Sequence, residues 1–405
     1  MNNKQQILEG SNAIAQTIKN IKPAVISAYP ITPQTHIVED LAKFKADGEV
    51  DYEYVRAESE FAAASIVAGA SAAGVRAYSA TSSQGLLLMS EVIYNIAGMR
   101  LPVVITCANR ALSAPISIWN DQQDVMAIRD AGWILLFAEN HQEAVNQHIM
   151  AFKLAEGLKL PVMVNVDGFI LTHSYEPVII PDAKQIKKYL PDYKPKVGQY
   201  LDPANPATLG ALATPTHYME IRQELHENLI ASLQIIDKEY KKFNSLIENC
   251  KLKIENLGRK KDKKIDNGLM EYIGPNNPDT ILVAMGSVCG TIKQTINELN
   301  QKSFSLFSKG GVGILKIKCF RPFPAEQILK IIKSAKNVAV LDKSISLGQI
   351  GTLASEIKTA AQGNANANIS SFIVGLGGRD ITKEMIKKII KQAGKKNDKA
   401  QFIGK

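Results

Sequence analysis

The chain has 405 residues, 45% hydrophobic and 21% charged, a globular composition with room for about two domains and a large core. No apolar run approaches the ~18 residues of a membrane span, and residues 1–6 are polar without a signal-peptide apolar region, so a cytoplasmic protein with no membrane contact is expected. The net charge of +9 invites a nucleic-acid reading, but the lysine excess lies in 259–264 and 387–399, beside helix-like segments; with no RNP-type motif or zinc finger, solvated faces or subunit contacts explain it and no nucleic acid is expected.

Along the first ~180 residues short apolar runs alternate with helical patterns, which argues for a parallel sheet covered on both faces. Strands are predicted over 23–29, 51–57, 77–80, 102–107, 132–138 and 161–166, and helices over 60–73, 85–97, 123–131 and 142–158, the last after Asn140 as N-cap. Residues 58–73 are rich in Ala, Ser and Gly, which lets a helix approach another backbone or a cofactor closely. Residues 177–215 are proline-rich and read as an ordered excursion wrapping another surface. A long helix is predicted over 216–257, with Met219, Ile221, Leu225, Leu229, Leu233, Ile236, Tyr240, Phe243 and Leu246 as a core or interface stripe.

The polar stretch 259–267 reads as a boundary, and 268–393 as a second α/β unit. Its strands are expected at 280–285, 312–317, 338–341 and 371–374, its helices at 287–300, 325–334, 351–362 and from Thr382. The Gly375–Asp380 turn (GLGGRD) can cradle an anion; a tight turn followed by an Asp380 or Thr382 cap is the plainer reading. Residues 394–405 read as a polar tail. Cys107, Cys250, Cys289 and Cys319 show no CxxC spacing and the six histidines show no HExxH pairing, so no metal ligand or iron–sulfur cluster is read from this chain.

Four polar segments follow strands, where ligands of parallel sheets bind. In Tyr29–Thr35 (YPITPQT) two prolines stiffen the loop and fix the Thr32 hydroxyl, which can hold a carboxylate. Glu60 opens the small-residue helix; taken alone it is the ordinary acid of a helix N-terminus. The hydroxyls and Gly85 of Ala80–Gly85 (ATSSQG) suit a polar ligand or a subunit contact. Arg110 follows another strand, at the same sheet edge as Thr32, where its fork matches a carboxylate bidentately; a solvated salt bridge is the plain alternative. The polar loop from Ile118 to Asp124 is expected to wall the same pocket.

YPITPQT, AESE, ATSSQGLLLMSE, NRALSAPISIWNDQQD and, at Cys319–Pro324, CFRPFP together resemble the alpha subunits of the pyruvate:ferredoxin oxidoreductase family, in the right order and over almost the whole chain. The resemblance implies a pyrimidine-binding type of thiamine-diphosphate domain over 1–230, a helical linker over 231–267, and a transketolase C-terminal-like domain over 268–393, all α/β. Glu60 matches the glutamate that hydrogen-bonds N1′ of the aminopyrimidine and so promotes removal of the C2 proton. Pro30 and Ile31 would line that cofactor, and Thr32 and Arg110 match the residues that bind the substrate carboxylate. No GDG motif with its following Asn is present, so the diphosphate and its Mg2+ are expected on a beta subunit. [4Fe-4S] clusters are expected on beta and delta subunits, with a gamma subunit completing the complex. The implied reaction is reversible, CoA-dependent oxidative decarboxylation of pyruvate to acetyl-CoA and CO2 with reduction of ferredoxin. A branched-chain 2-oxoacid or 2-oxoglutarate enzyme, a non-catalytic scaffold that only binds beta, and a self-sufficient thiamine enzyme are the rivals.

Overall fold

Val- and Ile-rich runs too short for helices become buried strands, and the segments of helical period between them become covering layers. The computed structural model describes residues 5–247, 262–301 and 310–404. In chain order the first unit contains β1 (Gln6–Glu9), α1 (Gly10–Ile21), β2 (Val25–Ala28), α2 (Thr35–Ala46), β3 (Glu53–Arg56), α3 (Glu60–Ala72), β4 (Ala77–Thr81), α4 (Ser83–Leu88) and α5 (Ser90–Gly98). It continues through β5 (Val104–Asn109), α6 (Gln123–Ala127), β6 (Ile134–Phe137), α7 (His141–Leu158), β7 (Val162–Asp167), β8 (Tyr175–Val178), α8 (Ala183–Tyr189) and α9 (Pro215–Leu246). The second unit holds β9 (Lys263–Asp266), β10 (Met270–Gly274), β11 (Thr280–Ala284), α10 (Val288–Gln301), β12 (Val312–Ile317), β13 (Cys319–Arg321), α11 (Ala325–Ile332), β14 (Asn337–Asp342), α12 (Thr352–Ala361), β15 (Asn368–Ile373), α13 (Lys383–Gln392) and β16 (Gln401–Phe402).

Two seven-stranded sheets result, ordered β13-β6-β7-β5-β4-β2-β3 and β16-β15-β14-β11-β12-β10-β9. The first is parallel except at β13, which runs antiparallel to β6. In the second, β10 runs antiparallel to both β12 and β9. The registers Thr81↔Cys107 and Asn109↔Asp167 bring the carboxyl ends of β4, β5 and β7 to one edge. Strand β13 belongs to the chain of the second unit but completes the sheet of the first: Phe320 is fully buried and meets Phe137 edge-on, ring centroids 6.3 Å apart. That is the structural task of the CFRPFP segment.

Several expectations change. The helix predicted over 85–97 is two, α4 and α5, with Met89 N→Gly85 O and Ile93 N→Met89 O carrying hydrogen bonds across the break. The 123–131 helix ends at Ala127, near where the Arg129 side chain takes the Met126 carbonyl. Of the α9 stripe, Leu225, Ile236 and Phe243 are buried in the first core, but Met219, Ile221 and Leu246 are exposed. The division at 230 falls inside α9, and β9, from the segment read as linker, is hydrogen-bonded to β10. The tail is also partly ordered: β16 pairs with β15 and buries Ile403. Cys250 and the end of the predicted 216–257 helix lie outside the described residues. Among the described residues no helix is long and apolar enough to cross a membrane.

Candidate functional site

The small-residue sequence of α3 and the glycine in α4 decide where Glu60 sits. Ser59 caps α3, its hydroxyl accepting from Ala62 N at 3.1 Å, and Ala63, Ala64 and Ala68 bury one face of the helix. Glu60 is only 7% exposed. It lies directly over Gly85: a Cβ added there would fall 2.6 Å from Glu60 Oε1 and 2.7 Å from Thr81 Oγ1. The carboxylate has no hydrogen-bond or ion-pair partner among the described residues, and the neighbouring hydroxyls of Thr81 and Ser82 are buried without partners. Buried polar groups are normally satisfied, so the two orphaned hydroxyls leave this corner complementary to a polar ligand.

Thr32 and Arg110 are also brought together. Arg110 is buried, and its Nη1 donates to the Thr32 carbonyl at 2.9 Å while Nε donates to Ser117 O at 2.9 Å. Burial pulls its pKa below the ordinary arginine value and Asp124 opposes that pull. Two of the five guanidinium N–H donors thus close loops, which leaves Nη2 and the second hydrogen of Nη1 for an anion. The Thr32 side chain is exposed. Pro30 is exposed and Ile31 half-buried, both at the open end of β2. Gln34 sets the shape of this loop: its fully buried side chain donates to Ala80 O at 2.7 Å and accepts from Ile31 N at 3.2 Å.

Asp124 is the organising group that sequence reasoning passed over. It is fully buried and accepts from Ser83 N at 3.0 Å, Arg110 N at 2.9 Å and Asn109 Nδ2 at 3.0 Å, so one carboxylate fixes the loops after β4 and β5 together. Burial raises its pKa and these donors hold the rise back. The 118–124 loop does not wall an open pocket throughout. Asn120, Asp121, Gln122 and Asp124 are buried, and the first three face the second unit. Gln122 N donates to Lys343 O at 2.8 Å, Gly377 N to Asp121 Oδ2 at 3.2 Å and Gly378 N to Asn120 O at 2.6 Å. The GLGGRD segment is thus a tight turn that docks on this loop, with positive φ at Gly375, Gly377 and Gly378 and Thr382 as the cap of α13. Nearby, Asp167 at the end of β7 takes Lys343 Nζ at 2.9 Å, both side chains almost wholly buried. Asp167 is held below the usual carboxylate range, burial being outweighed by Lys343 and Ser287.

An acid without a partner among the described residues, buried against a glycine on the sheet edge that also carries Arg110, makes a corner shaped for a polar ligand. Comparisons with known proteins identify the family. Residues 16–242 match the family model described as "Pyruvate flavodoxin/ferredoxin oxidoreductase, thiamine diP-bdg", and residues 278–386 match "Pyruvate:ferredoxin oxidoreductase core domain II". The chain is 46% identical over 396 residues to pyruvate synthase subunit PorA of Methanocaldococcus jannaschii, covering 97% of this chain and 96% of that one. It is 44% identical to PorA of Methanothermobacter thermautotrophicus, covering 98% of each. Ketoisovalerate oxidoreductase subunit VorA of Pyrococcus abyssi is 39% identical, covering 95% of this chain and 92% of that one. The chain therefore belongs to the pyruvate:ferredoxin oxidoreductase alpha-subunit family, the PorA subunits of pyruvate synthase. A solved 2-oxoglutarate:ferredoxin oxidoreductase from Magnetococcus marinus, with 2-oxoglutarate, coenzyme A and succinyl-CoA bound, shares the fold: TM-score 0.67 at 22% identity, covering 95% of this chain and 65% of that chain.

Proposed function

We propose that the chain is the thiamine-activating subunit of a pyruvate:ferredoxin oxidoreductase that converts pyruvate and CoA to acetyl-CoA and CO2 with reduction of ferredoxin, reversibly. The observation that carries this reading is the Glu60 carboxylate, buried over Gly85 without a partner among the described residues. Thiamine diphosphate, when bound, supplies the carbon nucleophile for the 2-oxo group and the sink for the electrons released on decarboxylation. Glu60 would hold N1′ of its pyrimidine ring, with Pro30 and Ile31 flanking the ring and the Thr81 and Ser82 hydroxyls free to bond to it or to a partner subunit. Arg110 Nη2 and the Thr32 hydroxyl would take the substrate carboxylate and fix the 2-oxo carbon for attack.

The diphosphate, its Mg2+ and the [4Fe-4S] clusters belong to partner beta, gamma and delta subunits in this reading, because no metal-diphosphate motif or cluster spacing exists in this sequence. The test is to purify the native complex, identify its co-purifying chains, and assay pyruvate, a branched-chain 2-oxoacid and 2-oxoglutarate with CoA and a low-potential one-electron dye. Pyruvate is expected to give the highest kcat/KM. A higher value for either of the others would overturn the substrate assignment.

A further inference from the structure

The fold assembles a donor cluster that no sequence spacing announces. Glu9 ends β1, His36 lies in the first turn of α2, and His173 lies in the turn between β7 and β8. Each side chain offers one ligand atom, and the three atoms lie within 4.8 Å of one another. His36 Nδ1 is 2.7 Å from Glu9 Oε1. The two imidazoles stack with centroids 4.5 Å apart at 32°. Thr172 Oγ1 lies 2.7 Å from His173 Nδ1, which fixes that ring and leaves Nε2 as its other donor. Phe169 covers His173 at 4.8 Å and is itself covered by Trp119 at 4.7 Å.

The Glu9–His36 contact joins two of these residues. The second imidazole, held against the first by Thr172 and Phe169, brings a third ligand atom within 4.8 Å of the other two. A cation between the donors accounts for all three. We propose that Glu9, His36 and His173 form a site for a divalent transition-metal ion of the zinc class. Two imidazoles and one carboxylate suit Zn2+ and its neighbours better than Mg2+ or Ca2+, which demand oxygen. Three protein ligands leave a position for water, and bonds of about 2.0–2.1 Å require the donors to close to roughly 3.3 Å of one another. The half-exposed His36 side chain, 46% accessible, has room for that movement.

The ion would tie β1 and α2 to the turn that starts at Gly168. That turn packs on the substrate loop: Gly168 N donates to Asn109 O at 3.0 Å, and a Cβ on Gly168 would fall 2.6 Å from Pro33 Cγ. The role is structural, a clasp beside Thr32 and Arg110 that is separate from the pyrimidine corner at Glu60.

The purified complex, stripped with a mild chelator and returned to thiamine diphosphate with excess Mg2+, is dialysed to equilibrium against micromolar Zn2+. Metal analysis is expected to show one more equivalent of zinc per copy of this chain than in the His36→Gln and His173→Gln complexes, with affinity falling at least about tenfold in each variant. Zinc-edge X-ray absorption is expected to show nitrogen and oxygen neighbours only, which excludes cysteine sulfur elsewhere in the complex. Equal zinc in wild type and variants, or a sulfur shell on the extra zinc, overturns the proposal. Should His173→Gln fail to assemble, His36→Gln, at a half-exposed position, gives the same decision.

Discussion

At position 60 a helix-start acid, which costs nothing on a solvated helix, is instead buried against a neighbouring helix; the role proposed for it rests on that placement, which cannot be read from the residue itself. Arg110 shows the same limit. Its position at the sheet edge was legible from the strand before it, but its hydrogen bond to the Thr32 carbonyl was not, because that contact joins segments 78 residues apart. Asp124 and Gln34 were illegible as organisers, since an acid and an amide in polar loops look alike whether they are solvated or bridge two loops. Arg110→Lys is expected to lower kcat/KM for the 2-oxoacid about 10- to 100-fold, because a point charge cannot close both loops and still meet a carboxylate; the assay is steady-state kinetics on the purified complex, and a KM and kcat matching wild type would refute the role.

On the scale of elements, the approach of α3 to α4 depends on Gly85. Gly→Ala inside an exposed helix is usually stabilising by about 0.5–1 kcal/mol, but here the added methyl lands on Glu60 Oε1 and Thr81 Oγ1. Gly85→Ala is expected to leave the far-ultraviolet circular dichroism and subunit assembly intact while lowering kcat at least about tenfold through a displaced acid. Unchanged turnover would show that the close approach has no part in the chemistry. The central strands were legible because full burial on both faces writes itself as continuous Val/Ile runs. The short strands β1, β8, β9, β13 and β16 were not: two to four residues at sheet edges carry no period, and β13 pairs with a strand of the other unit.

Across the molecule, the two units are joined by buried charge. Lys316 Nζ and Lys293 Nζ both lie 2.6 Å from Glu139 Oε2, Lys316 is 3.0 Å from Glu271, and Glu143 from α7 completes the cluster. Removing one partner of such a network strands a charge, so Glu139→Gln is expected to cost about 3 kcal/mol of stability, the low end for a broken buried pair because Glu143 and Glu271 still face Lys316; chemical denaturation measures it. Burial alone would raise the Glu271 pKa, but Lys316 and Lys293 outweigh it and bring it down to about 2 from 4.5. Its stabilisation is therefore present above pH 4.5 and is lost as pH falls towards 2. Unfolding temperature should drop over that interval, and Glu271→Gln should flatten the drop while lowering the plateau; an equal slope in the variant would refute the linkage. The sequence carried both α/β units but not this joint, whose members come from the turn before α7, from α7 itself, and from β10, α10 and β12. The role proposed for the acid over Gly85 is measured by the exchange rate of the C2 proton of thiamine diphosphate bound in the assembled complex. Glu60→Gln should slow that exchange by about 10²- to 10⁴-fold with the cofactor still bound; exchange at the wild-type rate in a cofactor-loaded Glu60→Gln complex would rule that role out.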